Sequence, residues 1–505
     1  MGEGSTSRLP DGQAGPARAE AATAADARAL PGAGLVSRTG RQALALPSRL
    51  WSDVHLRWVL AFFLLALVLR VGWVAAANPD PMDGRFDDTL FYDASAKALA
   101  EGKGYINFLD TPTARWPIGY SGLVASLYVV FGENLLAPKA LNVFLGAATV
   151  LLVYALGARL FDRRVGLVAA ALLALFPGQI FFSTLVMTEV FFAALLTLVV
   201  LLVVVWTLPP KADPPGRART GPRLGAAVLP PSAEDDKQPA AYKLLLLGLL
   251  LGYGAITRGE GSVVVLVVLL IWWLARSGWR PFLRRSGFLL AGVVLVMAPW
   301  TIRNFRVFHS PVFVSTAVGS ALWQGNRAEA YTAGDTGFDS KFYEEYADVP
   351  YPRKEVEMNS AAMREAVDFI VHNPRKETGL LFTKLYYLYR EDAIGLFWIE
   401  GSGGQPSIPD STEAKLETVA NAYYFVVLGW VVLTVPFWFS FRDRSRFLLP
   451  LMILVLTATH LIFAPNPRYH FAFIPILCIL AAQGVVVLWR RLSLGPADLA
   501  GRTDG

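Results

Sequence analysis

A chain of 505 residues that is 54% hydrophobic and only 17% charged cannot clothe a water-facing surface, since soluble chains carry roughly 25% charged residues. Lipid must be the solvent for much of it. The net charge of +6 is small for this length, and no basic stretch is interleaved with base-stacking aromatics, which argues against nucleic-acid binding; the single cysteine, Cys478, excludes an intrachain disulfide and a Cys-based zinc site.

Residues 1–57 hold seven arginines among Ala, Gly and Pro, with no apolar periodicity, and read as a disordered cytoplasmic tail. No short apolar run near Met1 marks a signal peptide. The first run of spanning length is Trp58–Ala77, enough at 1.5 Å per residue to cross about 30 Å of hydrocarbon. Others follow at about 136–160, 165–182, 184–206, 242–256, 260–275, 287–302, 419–440, 447–464 and 471–489. The expected fold is an all-α polytopic membrane protein of about 10 (range 10–12) transmembrane helices.

Lys and Arg in the short connections set the orientation. The tail, Arg163-Arg164, the flexible linker 207–241, Arg276 to Arg285, Arg442 to Arg446 and Arg490-Arg491 fall on one side, which is read as cytoplasmic. The apolar run Ile118–Phe131 has only 14 residues, and letting it cross would put Arg163-Arg164 outside. The loop 78–135 is therefore expected outside, with helices near 88–101 and 118–131 along the outer leaflet. Residues 305–418 are then outside too, as a small, mainly α domain. From Arg306 to Glu417 it carries 17 acids and 11 bases, and helices are expected near 355–373 and 377–392. In this partition 58–304 is the main transmembrane module, 419–490 holds the C-terminal spans, and 491–505 is a second cytoplasmic tail.

The outer ends of the spans gather polar residues. The first loop has Asp83, Arg85, Asp87, Asp88, Tyr92, Asp93 and Arg115. Later turns carry Thr188-Glu189, Thr257-Arg258-Gly259-Glu260, Arg303-Asn304 and Asn466-Pro467-Arg468-Tyr469-His470. Ionisable groups at membrane depth are costly unless paired or hydrated, so several on one face point to a site. Carboxylates there can serve as a general base or hold a divalent metal, and arginines can grip a phosphate with two parallel hydrogen bonds. A substrate with a phosphate head and a lipid tail suits such a place. Arg70, inside the first span, is a charge that this grouping does not explain.

At these residues the sequence resembles the membrane glycosyltransferases of the GT-C type, in particular the bacterial relatives of dolichyl-phosphate-mannose–protein mannosyltransferases and the lipid A aminoarabinose transferases. The segments that carry the resemblance are FDDTLFYDASAKALAEGKGY, ARWPIGYSGLVASLYVVFG, FPGQIFFSTLVMTE, AITRGEG, APWTIRNFRVF and NPRYHFAFIPI, in order between Trp58 and Trp489. The resemblance implies a polyprenyl-phosphate-linked sugar donor, transfer on the extracytoplasmic face to a lipid, glycan or protein acceptor, and a catalytic Asp followed, after three intervening residues, by a Tyr. That spacing selects Asp88 with Tyr92, and Asp87 is the reserve. Some relatives bind a metal near this site and others do not.

Each assignment has a plainer counterpart. Asp88 is expected as the general base, or as the cap of the helix it opens. Arg303, Arg468 and Arg258 are candidates for the donor phosphate, or anchors at the interface; Arg258 can simply pair with Glu260. Glu189 holds the acceptor or a metal, or offsets the dipole of the next span. Glu260, Tyr92, Arg115, Asn304 and Tyr469 are candidates for sugar or acceptor binding. Asp88, Glu189 and His470 are the candidate metal ligands, His470 being equally a structural neighbour. The rival functions are a transporter or flippase, which would place polar groups near the bilayer midplane, and a polymerase or ligase of lipid-linked glycans.

Overall fold

The computed structural model describes residues 53–79, 88–208, 239–275, 278–331, 337–401 and 408–493. The expected tail at 1–57 falls almost wholly outside them, as do most of the 207–241 linker, Asp83, Arg85, Asp87 and the C-terminal tail beyond Ser493.

Among the described residues the only bridge of strand type is the isolated Ile106–Pro112 pair. Helices follow from the composition, because in lipid every backbone donor and acceptor must be satisfied within its own segment. The chain opens with α1 (Val54–Ala76). The first loop then supplies α2 (Asp88–Ala100) and α3 (Ile118–Phe131). The 14 residues of α3 reach about 21 Å, short of a bilayer core, as its length in the sequence requires.

Next come α4 (Leu136–Leu160) and α5 (Arg163–Ala174). α5 starts on Asp162, whose carboxylate accepts from the N–H groups of Arg164 and Val165 at 2.9 and 3.2 Å. The run expected as one span over 165–182 is broken: α6 (Pro177–Phe181), with a 3₁₀ turn to Thr184, leaves α5 at 58°. Pro177 is the cause. It disfavours helical geometry at Phe176, which is extended (ψ 110°), and it cannot donate to the preceding turn.

The spans continue with α7 (Thr188–Trp206), α8 (Ala241–Ala255), α9 (Gly259–Leu274) and α10 (Trp279–Phe308). α8 lies close along α10 because Gly248 and Gly292 face each other's helices; a Cβ on either would meet a carbonyl oxygen, that of Leu289 or of Leu245.

Five further helices follow: α11 (Val318–Gly325), α12 (Gly337–Glu345), α13 (Arg353–His372), α14 (Pro374–Tyr389) and α15 (Ile394–Gly401). Leu322, Trp323, Phe342, Met358 and Ala362 give α11 to α13 an apolar core of their own. The chain closes with α16 (Asp410–Leu433), α17 (Val435–Trp438), α18 (Arg444–Ile462), a 3₁₀ turn Pro467–Phe473 and α19 (Ile474–Ser493).

Seven of these are long and apolar enough to cross a membrane: α1, α4, α7, α10, α16, α18 and α19 with its leading turn. The bent α5–α6 pair makes an eighth. The expected figure of ten rests on α8 and α9, apolar helices of 15 and 16 residues. The chain is a multi-pass membrane protein built of helices.

Three contacts tie the first loop to α10 and to the segment after it. Glu355 of α13 is buried and accepts from Thr113 Oγ1 at 2.5 Å, from the Ala114 N–H at 3.0 Å and from Thr316 Oγ1 at 2.9 Å. Arg115 Nη1 donates to Tyr343 Oη at 2.6 Å. Arg303 of α10 donates to the carbonyls of Thr113 and Tyr105, both at 2.7 Å.

Candidate active site

Five ionic side chains from different parts of the sequence meet in a row. Asp88, the first residue of α2, accepts from Arg468 Nη1 through Oδ2. Arg468 is presented by the 3₁₀ turn, whose start is fixed by Asn466 Oδ1 accepting the Arg468 N–H at 3.1 Å. Its Nε lies 3.8 Å from Glu189 Oε1, in the first turn of α7. Glu189 Oε1 accepts from Arg258 Nη1 at 2.9 Å. Arg258, just before α9, reaches Glu260 Oε1 through Nη2 at 3.0 Å and Nε at 3.3 Å. The order in space is acid, base, acid, base, acid. Every member stands at the start of a helix or turn, and helix starts favour the carboxylates.

The row is sheltered: the side chains of Asp88, Arg468 and Arg258 are 14, 10 and 10% exposed, and Glu189 is 2% exposed. Tyr469 organises its middle. Both guanidiniums, Arg258 and Arg468, lie 5.4 Å from that one ring, and His460 stacks on it at 4.8 Å. Trp398 of α15 covers Arg468 at 4.6 Å. His460 Nε2 lies 3.8 Å from Glu260. Tyr92, one turn into α2, is buried against Tyr120 with ring centres 5.2 Å apart. Burial, and then the carboxylates of Asp88 and Glu189, push its phenol well above the ordinary range, so Tyr92 stays a neutral hydroxyl.

Asp88, Glu189, Arg258, Glu260, Arg468, Tyr469 and Tyr92 thus come together. Asp87 lies outside the described residues. Other sequence candidates go elsewhere. Arg303 is held by the two loop carbonyls and by Asn304 Oδ1 at 3.0 Å, and Asn304 donates to the Val312 carbonyl at 3.2 Å. Arg115 joins the first loop to Tyr343. Asp93 is taken by Tyr128 at 2.5 Å and Lys97 at 2.7 Å.

Of the three candidate metal ligands, His470 stands apart from the row. His470 is buried between Tyr389 and Tyr424, with Nδ1 on the Leu388 carbonyl at 2.8 Å and Nε2 on Asp392 at 3.0 Å. Both ring nitrogens are engaged, and Asp88 and Glu189 each face an arginine. Among the described residues no three His, Cys, Asp or Glu side chains converge as a metal site.

Sequence reasoning missed His460 and Glu355. Lone residues in apolar or mixed runs give no pattern, although His460 falls in the last turn of a span, at the end where the cluster lies. Arg70 is fully buried against Gly146, with Nη1 on its own Ala66 carbonyl at 3.2 Å.

No family model matches the chain, and no curated protein matches its sequence. Solved structures similar to it include the apo oligosaccharyltransferase of Archaeoglobus fulgidus, at 16% identity over 88% of this chain and 52% of that one, with a TM-score of 0.49. The same enzyme with zinc and sulfate matches at 13% identity over 85% of this chain and 49% of that one, with a TM-score of 0.48. ArnT from Cupriavidus metallidurans, bound to undecaprenyl phosphate, matches at 13% identity over 85% of this chain and 77% of that one, with a TM-score of 0.38. Both proteins are GT-C glycosyltransferases. The chain spans about half the length of the oligosaccharyltransferase. Likeness at this level assigns no role to any side chain.

Proposed function

We propose that the chain is a membrane glycosyltransferase of the GT-C kind, moving a sugar from a polyprenyl-phosphate-linked donor to an acceptor hydroxyl on the extracytoplasmic face. The observation that carries the reading is the row of two arginines and three carboxylates at one end of the spans. A transporter site would be expected at mid-bilayer depth.

In this reading the acceptor oxygen attacks the anomeric carbon while Asp88 takes its proton. The bond from that carbon to the phosphate oxygen breaks, and the electron pair leaves with the lipid phosphate. A single displacement of this kind inverts the anomeric centre. Arg468 donates to Asp88 Oδ2 and so orients the carboxylate. Arg468 and Arg258 hold the negative charge on the leaving phosphate, where a forked guanidinium can make two contacts. Arg303, committed to the carbonyls of Tyr105 and Thr113, positions the first loop instead. Glu189 keeps the two arginines apart and oriented.

The test compares variants in one membrane preparation. Asp88→Asn should lower transfer at least about 10²-fold while donor binding survives. Arg468→Ala should weaken donor binding by on the order of 1.5–3 kcal/mol, and Lys should restore it only in part. A large loss in Asp87→Asn with Asp88→Asn near normal moves the base by one residue. Near-normal transfer in both overturns the reading of this loop.

A further inference from the structure

We propose that α14 is a half-inserted helix: its C-terminal half lies in the hydrocarbon of the leaflet on the site side, with phospholipid acyl chains against its exposed face and headgroup phosphates at Arg375 and Lys376. Depth is the first ground. Tyr389, the last residue of α14, hydrogen-bonds through its hydroxyl to Thr457 Oγ1 at 2.6 Å. Thr457 is five residues inside the end of α18, about 7.5 Å below it at 1.5 Å per residue. The side chain that closes α14 therefore reaches below the end of a spanning helix.

The second ground is the face. Leu381, Phe382, Leu385 and Tyr386 are exposed, Phe382 by 74% and Tyr386 by 65%. Spaced i, i+1, i+4 and i+5, they form one stripe. The flank beside it carries the buried Lys384 and Leu388. Lys384 turns inward, donating to Asn326 Oδ1 at 2.6 Å and Glu377 Oε1 at 2.7 Å, so no charge interrupts the stripe. In water such a patch would be a liability. Against lipid it continues the exposed apolar surface of α18, where Leu454 and Ile462 face outward.

The third ground is the gradient along the helix. The first turns hold the exposed Arg375 and Lys376, and the apolar residues come only after Gly379. A helix lying flat on a membrane is amphipathic along its whole length. One that slopes inward is polar at the headgroup end and apolar at the deep end, as here. The sequence alone instead places this region in a small domain outside the membrane.

Fluorophores on Phe382→Cys, and separately on Leu385→Cys and Arg375→Cys, test this in the full chain reconstituted into phosphatidylcholine–phosphatidylglycerol vesicles. Phe382 and Leu385 probes should be quenched several-fold more by acyl-chain nitroxide lipids than by iodide, and the Arg375 probe in the reverse order. Iodide quenching at Phe382 and Leu385 equal to that at a Glu344→Cys control would overturn the insertion. So would protection from both quenchers, which would mean that a protein surface covers the stripe.

Discussion

Glu189 is where the two arginines meet, and it is the least exposed carboxylate of the row. Taking away one member of a buried ionic set leaves its partners uncompensated, at a cost of about 3–5 kcal/mol. Glu189→Ala should therefore lower thermal stability in detergent markedly, and Glu189→Gln less, because the amide oxygen still accepts from Arg258. Equal melting temperatures for Glu189→Ala and the unsubstituted protein would show the row to be loosely held. This residue was legible in the sequence, together with Asp88, Arg258, Glu260 and Arg468, because a charge at the edge of an apolar run stands out. Direction around the helix was not legible. Arg303 also stands near a span end, yet its guanidinium reaches the loop carbonyls; a shift of one residue turns a helical side chain by about 100°. His470 differs from Tyr469 by one position, and it points to Asp392 and Leu388 while Tyr469 enters the site.

At the scale of elements, α13 is fastened to the first loop by Glu355 alone among its carboxylates. Burial pushes that carboxyl above its ordinary range, and the donors Thr113, Ala114 and Thr316 pull the other way. Glu355→Ala would orphan three buried donors, each costing about 1–3 kcal/mol if water cannot reach it. The expected outcome is faster proteolysis within residues 101–117 and a lower melting temperature. A cleavage pattern unchanged from the parent would mean that Arg115 and Arg303 suffice to hold the loop. The sequence located the helices of this region well, since 355–373 and 377–392 nearly coincide with α13 and α14. It could not show what joins them to the rest, because a contact over some 240 residues leaves no local signature. The α5–α6 break was written in Pro177 but read as continuous, hydrophobicity being uniform across it.

For the whole molecule, span lengths made the architecture legible, and the two short helices α8 and α9 kept the count from being read off length alone. The proposed side of the membrane rests on Lys and Arg asymmetry alone and has its own test. Cys478 is the only cysteine and is fully buried, so introduced thiols report against a silent background. A membrane-impermeant maleimide applied to intact cells should label Glu344→Cys and leave Ser493→Cys unlabelled. The opposite pattern would turn the protein over and place the ionic row at the cytoplasmic surface.

The alternation of that row has an arithmetic consequence. Three acids and two bases cannot balance, so with His460 neutral the centre carries one surplus negative charge. An incoming phosphate monoanion raises the surplus to two. At this degree of burial the surplus is costly, and a proton or a cation entering with the ligand, or a carboxylate moving toward water, would offset it. Glu189 is gripped from both sides and is the last to yield. Asp88 and Glu260, at the two ends, each face a single guanidinium, so the ligand's own charge loosens the termini of the row first, and one of those termini is the group assigned to receive the acceptor's proton.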